Sequence, residues 1–99
     1  MAWTLVAVVS AKKAEVEAAL RDDVVSRQSH KLRDAASAGG PSGQLYVLVE
    51  GSPEGVARAD ALLKPLAEAM TAADREAVYR RFKDEEEAAS AGMGFVFTE

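Results

Sequence analysis

The sequence predicts an α+β fold, and three observations lead to this prediction. The run AWTLVAVV (Ala2 to Val9) has the apolar, valine-rich composition of a buried strand. A second run, QLYVLVE (Gln44 to Glu50), has the β-branched and aromatic content of another strand. The segments between and after these runs carry apolar residues at helical spacing. We therefore expect one α+β domain over residues 1–99.

The composition limits the classes of function. The chain has 99 residues, of which 48% are hydrophobic and 28% are charged, so we expect it to fold around one modest core. Its net charge of -4 argues against a general attraction to phosphate backbones. It has no cysteine, which excludes disulfides and thiolate chemistry. The first apolar run is about half as long as a membrane span, so we expect a cytoplasmic protein without a membrane association.

The first half of the chain after this run contains one helix and one ambiguous segment. Val16 and Leu20 form a narrow apolar stripe that predicts a helix from about Ala11 to Arg21. The pattern from Val24 to Ala36 fits neither a helical stripe nor a clean alternation, and the sequence leaves strand and helix open. An edge strand is the favoured interpretation, joined to QLYVLVE by the loop SAGGPSG.

The second half predicts two helices and a last strand. Ser52 and Pro53 have the residue types of a helix start, and Pro65 should kink this helix or end its first part near Leu63. Thr71 and Asp74 have the spacing of a capping box, and they predict another helix. Its buried side is marked by Val78 and Phe82, and we expect Gly92 to end it, with GFVFTE (Gly94 to Glu99) as the final strand.

This order of elements is that of a ferredoxin-like plait, βαββα(α)β, with an antiparallel sheet and helices on one face. The stretch LYVLVEGSPEGVARADALL (Leu45 to Leu63) resembles the strand-to-helix half of small ACT-type regulatory domains, and more faintly that of bacterial microcompartment shell domains. The resemblance implies a regulatory small-ligand domain. The turn SAKKAE after the first strand lacks the glycine that ACT domains commonly use near their ligand, so no ligand residue is transferred.

The sequence contains none of the residue patterns that commonly indicate a catalytic or metal-binding site. A serine triad would have to use His30, the only histidine, and no nucleophile-elbow motif accompanies it. The acidic run Asp84 to Glu87 has no metal-ligand spacing, and the loop AGGPSG lacks the lysine and helix of a P-loop. The glycines of EGSPEG are flanked by Glu50 and Glu54, which favours helix capping over anion binding. We expect no enzyme, cofactor or metal.

A basic segment is the main candidate binding surface. It contains Arg27, His30, Lys31 and Arg33, and two interpretations stay open: an edge strand protected by charge, or a basic strip on an open sheet face. In the second case Tyr46 is the one aromatic residue of the two hairpin strands, and the later helix could add Arg80, Arg81 and Lys83. The strip would bind a protein partner or a small anionic ligand, or, as the alternative, single-stranded RNA.

The C-terminal residues offer a second surface. Met93, Phe95 and Phe97 can close the sheet of their own subunit or act as an interaction tail on a neighbour. An open sheet face bearing Tyr46 and Leu48 could also be buried by dimerisation. We therefore expect a non-catalytic, oligomeric binding module that acts as a regulatory small-ligand domain or as an accessory subunit of a larger complex.

Overall fold

The computed structural model describes residues 2–38 and 40–98, and for 38 and 87–98 it describes the backbone path alone. Within these residues the chain forms an α+β fold with one four-stranded antiparallel sheet, as the sequence predicts at this level. In chain order the elements are β1 (Ala2–Val9), α1 (Lys13–Leu20), β2 (Ser29–Asp34), β3 (Gln44–Gly51), α2 (Pro53–Leu63), β4 (Ala67–Glu68) and α3 (Ala72–Thr98).

The sheet has the strand order β2-β3-β1-β4. β1 and β3 pair over their whole length, from Ala2 opposite Gly51 to Val9 opposite Gln44. β2 is an edge strand, paired with β3 alone among the described strands, which agrees with the favoured interpretation of the ambiguous segment. β4 is the opposite edge, and its two residues pair only with Ala7 and Val8. The two apolar runs that dominate the sequence are therefore the two central strands.

One face of the sheet packs against α1 and α2. Alternate residues of each strand share a face, so Val6 and Val8 of β1 lie beside Val47 and Val49 of β3. The helices close this core with Val16, Leu20, Ala59 and Leu63. The apolar stripe that predicts α1 from the sequence is thus the side of α1 that faces the sheet.

The other face of the sheet packs against α3. Val78 and Phe82 of α3 lie in a second core cluster with Leu5, Tyr46 and Leu48. The prediction that helices lie on one face only is therefore wrong, and so is the prediction of an open face buried by dimerisation through Tyr46 and Leu48. The physical reason is that α3 has its own apolar side, and this chain's second sheet face is the surface that buries it.

The C-terminal prediction also differs from the structure. We expected Gly92 to end the last helix and GFVFTE to form the last strand, but α3 runs through to Thr98 and the fourth strand is Ala67–Glu68. A glycine inside a helix costs only about 1 kcal/mol relative to alanine, so a single glycine does not dictate an end. No proline follows Pro65. The helix therefore meets no residue that breaks its hydrogen bonding.

The predicted start and end of α2 and the predicted start of α3 are confirmed. The Ser52 hydroxyl accepts a hydrogen bond from the Gly55 amide at 3.1 Å, and Pro53 is the first residue of α2. α2 ends at Leu63, next to a short 3-10 turn that contains Pro65. The Thr71 hydroxyl accepts from the Asp74 amide at 3.1 Å, which caps α3.

Candidate functional site

The residues of the predicted basic strip lie on different parts of the surface. Arg27 belongs to a 3-10 turn before β2, and its guanidinium lies 3.5 Å from the Asp23 carboxylate. His30 is exposed and alternates with Lys31 along β2, so these two side chains leave the sheet on opposite faces. Only Lys31 and Arg33 share the face that α3 covers. The structure therefore reduces the strip on that face to two cations.

Both of these cations are paired with carboxylates of α3. The Lys31 ammonium lies 2.7 Å from the Glu86 carboxylate, and Arg33 forms an ion pair with Glu85. The Arg33 guanidinium also lies 5.5 Å from the centre of the Phe82 ring, a cation-π contact. The hydrogen bond from Lys31 lowers the pKa of the Glu86 carboxyl below its ordinary value. The acidic run of α3 is therefore not simply a solvated face, because two of its members neutralise β2.

A buried carboxylate holds the middle of α3 to the sheet. Glu50 of β3 is 5% exposed, and its carboxylate accepts from the Lys83 ammonium at 3.0 Å and from the Tyr79 hydroxyl at 3.1 Å. The Glu50 hydrogen bond raises the pKa of Lys83, and burial raises that of Tyr79. Tyr79 in turn stacks on Trp3, with ring centres 4.1 Å apart. Sequence reasoning did not find this cluster, although Glu50 lies two residues after Leu48 in β3 and therefore shares its face.

Arg75 of α3 completes the exposed edge of β1. β4 pairs only with Ala7 and Val8, so the earlier part of this edge has no strand beside it. There the Arg75 guanidinium donates to the Leu5 carbonyl at 3.0 Å and to the Thr4 hydroxyl at 3.2 Å. The Arg75 side chain thus gives the Leu5 carbonyl a hydrogen bond of the kind that a neighbouring strand would provide.

A cavity of about 430 Å³ lies between the first half of α3, the sheet and the loop before β3. Its volume is within the range of small-molecule sites. Its wall is mixed: the sheet contributes Ala7, Gln44 and Tyr46, the middle of the helix segment contributes Ala77 and Val78, and the cavity opens to solvent. The residues that line it include Ala7, Tyr46, Met70, Asp74, Val78 and Arg81. Of the predicted ligand residues, Tyr46 is the one in this wall, and Arg81 was named as a reinforcing cation.

The loop before β3 closes one end of the cavity through a tight glycine contact. A methyl group built on Gly40 would lie 2.1 Å from the Tyr46 hydroxyl oxygen, far inside the normal contact distance. The Gly40 amide donates to the Ala35 carbonyl at 2.7 Å, which holds the loop in this position. The lack of a side chain at Gly40 therefore allows the loop to approach Tyr46 closely.

Two opposite charges line the cavity. Asp74 and Arg81 are separated by two turns on the same side of α3, with Ala77 and Val78 between them. Neither forms a salt bridge with another side chain in the described part of the chain. The nearby Arg80 differs, since its guanidinium lies 3.4 Å from the Glu76 carboxylate.

The other candidates whose side chains are described do not line this cavity. At the start of α2 the Ser52 amide donates to the Gln28 side-chain oxygen at 3.0 Å, so this amide is already paired. The Ser26 hydroxyl donates to the Asp23 carbonyl, and within the described residues no serine hydroxyl bonds to His30. Met93, Phe95 and Phe97 are within the range of α3, but their side chains lie outside what is described.

Among the described side chains, those of residues 2–37 and 40–86, no group of three histidine or carboxylate side chains is arranged to hold a metal ion. In residues 2–38 and 40–98, no helix combines the length and the apolar character needed to cross a bilayer.

The arrangement of the sheet and helices, together with the cavity beside α3, defines the structural class of this protein. It is an α+β protein whose four-stranded antiparallel sheet carries helices on both faces, and a cavity lined by both charged and apolar residues lies beside α3 and the sheet. Comparisons with protein-family models, with curated protein sequences and with solved structures gave no match.

Proposed function

We propose that this protein is a non-catalytic binding module that takes up a small ligand in the cavity beside α3. The observation that carries the proposal is that Asp74 and Arg81 both line this cavity without a salt-bridge partner among the described residues. Both side chains are exposed, so they are accessible to a ligand that enters the cavity. Ala77 and Val78 lie between them, and two opposite charges on either side of a short apolar stretch can orient a ligand.

The same proposal assigns the domain to the ferredoxin-like plait, extended by α3. Support comes from the element order βαββαβ before α3, from the strand order β2-β3-β1-β4, and from the packing of α1 and α2 on one face. The plait is a fold with many functions, so it does not by itself favour a ligand. A cytoplasmic location is part of the proposal, supported by the absence of cysteine from the sequence.

We also propose that the module works as a homo-oligomer or within a larger complex. β2 pairs with β3 alone among the described strands, so its outer edge is available for the strand of another subunit. The apolar tail residues Met93, Phe95 and Phe97 follow the part of α3 that contacts β2 at Glu85 and Glu86. A neighbouring subunit that pairs with β2 would therefore meet this tail.

Native mass spectrometry of protein purified under mild conditions tests both parts of the proposal. The expected spectrum shows a discrete oligomer that releases a small molecule on activation. A variant that ends at Glu86 keeps the residues that dock α3 and should be smaller in assembly mass while it retains the small molecule. A ligand-free monomer, identical in assembly state with and without the tail, would contradict both parts.

RNA binding on the sheet face is the weaker candidate. Lys31 and Arg33 are already engaged by Glu86 and Glu85, and the aromatic Tyr46 lies under α3. Single-stranded RNA would need stacking surfaces and unpaired cations on that face. If RNA does bind, its affinity should fall steeply with salt and with Arg33→Ala, and a salt-insensitive or absent interaction would remove this candidate.

A further inference from the structure

The chemistry of the cavity wall specifies the class of ligand more closely. The wall has a carboxylate at one end, Asp74, and a guanidinium at the other, Arg81. A ligand with a single negative charge would be attracted by Arg81 and repelled by Asp74, and a simple cation would meet the reverse problem. A ligand that carries both charges satisfies both side chains at once.

The spacing of the two side chains sets the form of such a ligand. Seven residues of α-helix correspond to about 10 Å along the axis. Helical side chains lean toward the N-terminus, so the long Arg81 side chain leans back toward Asp74 and shortens this span. The two groups nevertheless form no salt bridge with each other. A ligand that contacts both side chains must bridge the distance that remains, and a spacer between its two charges lengthens its reach.

The surface between the two charges sets the middle of the ligand. Ala77 and Val78 lie between Asp74 and Arg81 on α3, and Ala7 and Met70 face the same space. Apolar surface of this kind is best covered by methylene groups.

We propose that the cavity binds a short linear zwitterion, in which an ammonium group faces Asp74, an aliphatic spacer covers Ala77 and Val78, and a carboxylate faces Arg81. This inference rests on the proposed small-ligand function and adds the chemical class of the ligand. The volume of about 430 Å³ accommodates an ω-amino carboxylate of several methylene groups. The orientation also follows from charge, because the reverse placement brings like charges together at both ends.

The test is a titration of the full chain with ω-amino carboxylates from glycine to aminooctanoate. Calorimetry measures the affinity of each compound, and amide chemical shifts locate the residues that it contacts. Affinity should be highest for a member with an intermediate spacer, with shifts centred on Ala77 and Val78. Acetylation of the amine, or conversion of the carboxylate to an amide, should each weaken binding about tenfold.

Variants assign each end of the ligand. Arg81→Gln should abolish the penalty for the amide derivative, and Asp74→Asn should abolish the penalty for the acetylated one. Arg80→Gln and Glu76→Gln are matched controls, because these neighbours are paired with each other, and both should bind as the wild type does. Equal affinity for blocked and unblocked compounds, or equal effects of Arg80→Gln and Arg81→Gln, would overturn the inference.

The outcome separates this inference from the proposed function. Failure of every member of the series, with a different small molecule still retained in native mass spectra, would overturn the zwitterion and leave the binding module in place. Failure of the series together with ligand-free spectra would overturn both.

Discussion

The Lys83 ammonium of α3 lies 2.8 Å from the carboxylate of Glu50, a buried residue of β3. The side chain of Glu50 is 7% exposed, whereas that of Lys83 is 38% exposed. The lysine thus brings its charge from the surface to a carboxylate that the sheet and α3 shield from water. Among the ion pairs of the described residues, this one contains the most buried carboxylate, and together with the Tyr79 hydrogen bond it attaches α3 to the sheet.

Lys83→Met should destabilise the protein because it leaves the Glu50 carboxylate buried with Tyr79 as its remaining partner. We expect a loss of about 1 to 3 kcal/mol in the free energy of unfolding, toward the lower end because Lys83 is partly exposed. Adding Glu50→Gln should recover at least half of this loss, since it removes the unpaired charge. Urea unfolding measures both. Lys64→Met, at an exposed position, is the control, and an equal effect of the two lysine variants would refute the expectation.

Alkaline pH should weaken the attachment of α3. The pKa of Lys83 is raised above its ordinary 10.5 by the Glu50 hydrogen bond, and that of Tyr79 above 10.0 by burial. A group whose pKa is higher in the folded state contributes stability below its unfolded pKa and loses it as pH rises through the folded value. The free energy of unfolding should therefore fall above pH 10, and fall less in Lys83→Met/Tyr79→Phe. Parallel pH profiles for the two proteins would contradict this.

The parts of the fold that the sequence predicts well are those with local signals. QLYVLVE has its own strand composition, and Ser52 and Pro53 mark the start of α2 through contacts within a few residues. The position of α3 has no such signal. Val78 and Phe82 show that the helix has an apolar side, but they do not show which face of which sheet receives it.

The ion pairs between β2 and α3, and the side of the cavity that α3 forms, also lack a local signal in the sequence. The pairs of Lys31 with Glu86 and of Arg33 with Glu85 join segments that are distant in the chain, so each run of charge looks solvated by itself. β4 has two residues, too few to show an alternating pattern. The sequence predicts Asp74 as part of a capping box, and its amide does donate to the Thr71 hydroxyl. Its side chain also lines the cavity, which exists only because α3 packs on the sheet.

Gly40→Ala tests the loop that closes the cavity. The new methyl group would meet the Tyr46 hydroxyl at 2.1 Å and the Ala35 carbonyl oxygen at 3.2 Å, so the loop must shift. We expect a loss of about 1 to 3 kcal/mol in unfolding free energy, as for an overpacked site. Tyr46→Phe removes the closest atom, so the double variant should be more stable than Gly40→Ala alone.

Gly43→Ala provides the comparison for this loop. Gly43 has φ +82° with open space around it, so its substitution brings backbone strain without a clash. Tyr46→Phe should therefore give no recovery in the Gly43→Ala background. Recovery of similar size in both backgrounds would show that the contact between Gly40 and Tyr46 is not its cause.

Glu85→Gln/Glu86→Gln tests whether α3 masks a basic surface. The variant removes the partners of Arg33 and Lys31 and leaves Phe82 to hold the helix on the sheet. Affinity for single-stranded RNA should rise, and the slope of log K against log salt should steepen by up to about 1.4 if two further phosphates are neutralised. Fluorescence anisotropy at several salt concentrations measures this.

Glu15→Gln/Glu17→Gln on α1 is the matched control, since it changes the net charge equally on the other face of the sheet. If both double variants gain the same affinity and the same slope, net charge alone explains the effect and β2 has no latent polyanion surface. A gain confined to the α3 variant would mean that Glu85 and Glu86 occupy the position of a polyanion on Lys31 and Arg33. In that case the acidic side of α3 keeps nucleic acid away from a face whose remaining function is to form the cavity wall.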